Sequence, residues 1–109
     1  MRKNEYTSLE DFTSQYTGEW SPSDGHWLGL DFIYKGVEYR FHTGTMYDDE
    51  SPCKFAIYRK MDSSQKNEKL YDLLKQFDSM EEVLNSTLIN NQCFSEVIMD
   101  DDLELVGQD

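Results

Sequence analysis

His26 and His42 are the only imidazoles in the chain, and Cys53 and Cys93 its only thiols. A metal site or a general base would need the two histidines on one surface. Asp24, His26 and Asp31 have the residue types of a carboxylate–imidazole set, so the Asp24–His26 loop, with His42, is the one candidate for an enzyme or small-ligand site. Each member also has a structural role open to it. In Asp24-Gly25 the aspartate can bond its own backbone while the glycine takes positive φ. Asp31 falls opposite Arg40 if the strands pair as argued below, a cross-strand pair worth about 0.2–1 kcal/mol. No C-x-x-C, nucleophile elbow, phosphate-cradling glycine loop or zinc-helix motif occurs, and the six glycines stand singly. The two cysteines, forty positions apart, are expected to be reduced and packed. No catalytic activity, cofactor or metal is expected.

The elements that would hold these groups are legible in stretches. Residues 7–16 fit a short helix. Thr7-Ser8-Leu9-Glu10 has the form of a capping box, Leu9, Phe12 and Tyr16 share one stripe, and Gly18 follows as a stop. Ser21-Pro22-Ser23-Asp24-Gly25 is a turn cluster. His26–Tyr34 and Val37–Thr43 are aromatic-rich and β-branched runs flanking Lys35-Gly36, the signature of a two-residue hairpin. In that register Tyr34, Phe32 and Leu30 face Val37, Tyr39 and Phe41 on an apolar side. Ile33–Glu38, Asp31–Arg40 and Gly29–His42 pair on the other. A one-residue slip would turn the apolar set to water, so the pattern fixes the register. It also places His26 and His42 on opposite sides of the sheet.

Thr45–Pro52 is an acidic loop, and Cys53–Lys60 alternates as a third strand with Cys53, Phe55 and Ile57 on one side and Ala56 and Tyr58 on the other. Leu70, Leu73, Leu74 and Phe77 have helical spacing and predict a helix over 65–77. Ser79-Met80-Glu81-Glu82 is a second capping box, opening a helix to about Ser86. Asn90-Asn91 marks a turn, Phe94–Met99 a further helical turn or two, and Leu103–Val106 a short edge strand. The fold class is therefore α+β: a small antiparallel sheet packed with three to four short helices.

The chain has 109 residues, enough for one domain over 1–109 with one modest core. Aromatics make up 14% of it, unlike a disordered chain. Ten basic against 22 acidic residues give a net charge of −12, which disfavours direct binding of nucleic acid or of an anionic membrane surface. No apolar run approaches a secretion signal or a membrane span, so a soluble cytoplasmic protein is expected. Residues 61–109 carry 3 basic and 12 acidic residues, net −9, so the excess charge lies in the C-terminal half.

These features point to a small non-catalytic protein-interaction or regulatory domain (accessory, inhibitor or neutralising) with a protein partner of basic character. The partner-binding candidates are Trp27 and Tyr58 as aromatic anchors, since alternation turns both away from the main core. Asp100, Asp101 and Asp102 are the steering charges. The alternative is an acidic mimic of nucleic acid, for which Glu68 and Asp72 would stand one helical turn, about 6 Å, apart.

Overall fold

The computed structural model describes residues 2–3, 8–16, 28–47, 50–61 and 70–108. Its hairpin is the one the sequence predicts. Lys35 and Gly36 both take left-handed backbone, with φ of 51° and 83°, the two-residue turn whose twist matches that of the strands it joins. β2 (Gly29–Tyr34) and β3 (Val37–Thr43) pair from Tyr34↔Val37 through Asp31↔Arg40 to Gly29↔His42. β4 (Phe55–Lys60) adds to β3 with Phe41 opposite Ile57.

Around these lie β1 (Arg2–Lys3), α1 (Leu9–Thr13), β5 (Tyr71–Phe77), α2 (Met80–Asn85), α3 (Phe94–Ile98) and β6 (Glu104–Gln108). The sheet order is β1-β6-β2-β3-β4-β5, antiparallel throughout, with β1 a two-residue addition to five longer strands. Three short helices are described, and strand β5 stands over 71–77 where a further helix is expected.

All three helices contribute to one core on one face of the sheet. Phe12 of α1, Val83 of α2 and Phe94, Val97 and Ile98 of α3 pack with Leu30, Phe32, Phe41, Phe55 and Ile57 of the strands. Aromatic rings join the layers: Phe94 lies 5.6 Å from Phe41, and Phe12 lies 5.5 Å from it, centre to centre. These are the spacings at which edge and offset ring contacts are favourable.

Serines start two of the helices. Ser8 Oγ accepts from the Asp11 N–H at 3.1 Å, so Ser8, one place after Thr7, caps α1; Thr7 itself lies outside the described residues. Ser79 Oγ accepts from the Glu82 N–H at 3.2 Å, and the Glu82 carboxylate accepts from the Asp78 N–H at 2.9 Å. Each serine bond satisfies a donor that the helix leaves unpaired. Asn90 and Asn91, both with positive φ, turn the chain between α2 and α3.

Two elements depart from expectation. Residues 71–77 form strand β5, where the leucine spacing predicts a helix. The cause is a bulge: Ile57 pairs with Lys75 but Tyr58 with Leu73, leaving Leu74 as an extra residue. A bulge shifts the two-residue alternation by one. Leu74 and Phe77 therefore join the main core, while Tyr71 reaches the other face to bond Asp31. Apolar positions three and four apart in a bulged strand imitate a helix. The second departure is β6, which lies between β1 and β2 and is no edge strand; Leu105 pairs with Phe32 and is buried.

Candidate functional site

The sheet face away from the helices carries most of the groups with chemical potential, and it is covered. Arg40 donates to Asp31 at 2.9 Å, with side-chain exposures of 7% and 22%. Tyr71 Oη donates to the other Asp31 oxygen at 3.3 Å. The guanidinium lies over Gly29, where a Cβ would collide with it. Beside this pair, His42 Nδ1 lies 2.9 Å from the Gly44 carbonyl oxygen. A carbonyl only accepts, so Nδ1 carries a proton.

The loop after β3 folds over this layer and is pinned by tyrosines. Tyr58 Oη accepts from the Met46 N–H at 3.0 Å and donates to Glu50 at 2.5 Å. Tyr47 Oη accepts from the Tyr71 N–H at 3.1 Å. Burial, then the Glu50 carboxylate, holds the Tyr58 phenol well above the ordinary tyrosine range. Burial and the charge of Asp31 push Tyr71 up to about 12. Both phenols are thus neutral donors. Cys53 is also shifted upward, by burial first and then by Glu50, which disfavours a reactive thiolate.

Tyr58 does turn away from the main core, as the alternation requires. It is also fully buried, which corrects the expectation of an exposed anchor: Met46 and Glu50, from the chain after β3, bond its hydroxyl. Trp27, Asp24 and His26 lie outside the described residues. Among the described residues, no three His, Cys, Asp or Glu side chains are grouped so as to hold a metal ion.

The helical face has a different character. From Gln76 to Asp109 the sequence has nine acidic residues and no Lys, Arg or His. Glu10, Asp78, Glu81, Glu82, Glu96, Asp101 and Asp102 are all exposed. None of the three helices has a basic residue in its last turn, and all carry acids in the first. The dispersed carboxylates on α1, α2 and α3 are not apparent as a group until the helices are seen to share one side of the sheet. The cation-free run from residue 76 onward was the available signal.

Within the predicted aspartate run the three members differ. Asp100 accepts from Tyr34 Oη at 2.5 Å and from the Asp102 N–H at 2.9 Å. Those bonds, the tyrosine's first, hold its carboxyl below the usual carboxylate range. It ties the turn after α3 to the hairpin. Asp101 and Asp102 remain as exposed charges. Glu68 lies outside the described residues and Asp72 sits on β5, so the one-turn helical spacing invoked for a nucleic-acid mimic is not formed. No helix among the described residues is long and apolar enough to cross a membrane. No protein-family model, curated protein or solved structure matches the chain.

Proposed function

We propose that this chain is a cytoplasmic, non-catalytic protein-interaction domain that docks its helical face on a basic surface of a partner protein. The observation that carries this reading is the exposed carboxylate set spread over α1, α2, α3 and the turn at 101–102, all of it but α1 in a stretch from residue 76 onward that has no basic side chain. A surface of one sign raises encounter rates with an oppositely charged partner and rejects like-charged ones. On the opposite face, Asp31, Arg40, Tyr58 and Tyr71 bond to one another or to the covering loop, an arrangement that supports a structural role for that layer.

The test compares the native chain with a variant carrying Glu10→Gln, Glu81→Gln, Glu96→Gln, Asp101→Asn and Asp102→Asn. Glu82 and Asp100 are left intact because they bond backbone or Tyr34. Proteins captured from the native host by the parent and lost by the variant are identified by mass spectrometry, and their binding kinetics are then measured. The expected result is a slower association with a flatter salt dependence in the variant. A partner that both chains bind at the same rate would refute the assignment of the helical face. A partner displaced by DNA or RNA would favour the mimic.

A further inference from the structure

Among the described residues the sheet ends at β5, a seven-residue strand with no further strand paired to it, although its Tyr71 N–H is taken by Tyr47 Oη. A strand so placed presents main-chain donors and acceptors with which another extended segment can pair. At the other end β1 has only two residues and offers little to pair with. Next to β5 stands α2, and between them runs a cleft of about 340 Å3. Lys75, Gln76 and Phe77 line it from the strand, and Glu81, Glu82 and Asn85 from the helix. Phe77 is 3% exposed, with the Lys75 ammonium 5.5 Å from its ring centre, so the cleft is lined mainly by polar and charged groups.

We propose that this cleft takes an extended cationic peptide segment of a partner, added as a further antiparallel or parallel strand on β5 beneath α2. The proposal rests on the reading above that the partner is basic, and it names how that partner is held. Alternate side chains of an added strand point to the same side. Those directed toward α2 meet Glu81 and Glu82, two carboxylates against the single Lys75 ammonium, so Lys or Arg at every second position is the matching pattern. A second copy of the chain is the competing occupant. It would bring a net charge of −12 against an equal charge, whereas a basic segment is attracted.

The probe is a fluorescent peptide of alternating lysine and valine. It is compared with the same peptide N-methylated along one edge, and with a glutamate–valine control. Anisotropy gives affinity, amide NMR of the full chain gives location, and sedimentation gives oligomeric state. The lysine–valine peptide is expected to bind and to shift the amides of 71–77. N-methylation removes main-chain donors without touching charge and is expected to weaken binding by about tenfold or more.

On the protein side, Glu81→Lys with Asn85→Lys reverses the cleft charge and leaves the Ser79–Glu82 cap in place. It is expected to weaken binding by about tenfold. Glu104→Lys with Val106→Lys makes the same change in net charge on β6, across the sheet from the cleft, with an expected effect below about threefold. Equal binding of the N-methylated peptide, with equal losses in both charge variants, overturns strand addition while leaving a basic partner on the helical face. Absence of lysine–valine binding also overturns strand addition; the host-capture kinetics then decide the broader reading independently. A dimer by sedimentation whose amide shifts map to β5 assigns the edge to a second copy and overturns the proposal.

Discussion

Gly29→Ala should destabilise this protein, although the same change relieves backbone entropy in most strands. At Gly29 an ideal Cβ falls 2.7 Å from Arg40 Cζ and closer still to Nη2. The guanidinium is held in that place by Asp31 at 2.9 Å and is 7% exposed, so it has little room to withdraw. Forcing a methyl into a packed site costs about 1–3 kcal/mol. Replacing a glycine in a strand by alanine returns up to about 0.5–1 kcal/mol. The net loss is centred near 1 kcal/mol, with a range of about 0–2.5 kcal/mol, and the central value corresponds to a fall in Tm of roughly 4–8 °C for a domain of this size.

The decisive measurement is the same substitution in an Asp31→Asn, Arg40→Ala background, where both charges are gone and the space over Gly29 is open. There the methyl meets nothing of the guanidinium, and Gly29→Ala is expected to stabilise by about 0.5–1 kcal/mol. The effect therefore shifts between backgrounds by the cost of the clash, a non-additivity of about 1–3 kcal/mol in a double-mutant cycle by urea or thermal unfolding. A stabilising Gly29→Ala in the parent, or an equal effect in both backgrounds, would refute the packing of Arg40 over Gly29.

Phe41→Ala removes a fully buried ring in contact with Phe12, Phe55 and Phe94 and is expected to cost about 3–5 kcal/mol in urea unfolding. In alkali, burial and the Asp100 carboxylate push Tyr34 up to about 12, Tyr71 also reaches about 12, and Tyr58 is raised as well. Raised phenol pKa values contribute stability that is full below the unfolded value near 10 and lost as pH climbs through the folded values. Tyrosinate absorbance should accordingly show a late-titrating group, with unfolding free energy falling from about pH 10 upward. At pH 7, salt should raise Tm by screening the net charge of −12; a steady fall from low to moderate salt would mean that attractive pairs outweigh repulsion.

Short-range signals carried the hairpin, the Ser79 cap and the Asn90-Asn91 turn, because alternation, capping and positive-φ turns are settled within a few residues. Asp31 opposite Arg40 follows from that register, and so does the orientation of Tyr58 away from the main core. The bulge at Leu74 is different. It arises only when 71–77 pairs with β4, and a local period cannot distinguish a bulged strand from a helix. The inner position of β6 is likewise a matter of long-range pairing, since an edge strand and a central one can share the same short apolar run. The burial of Tyr58 depends on a loop folding back to place the Met46 N–H and the Glu50 carboxylate on its hydroxyl. Sequence thus determined which residues face together along each element and how acidic the chain is. Tertiary structure decided what covers each face: all three helices pack on the core side, which gathers their scattered carboxylates onto a common surface.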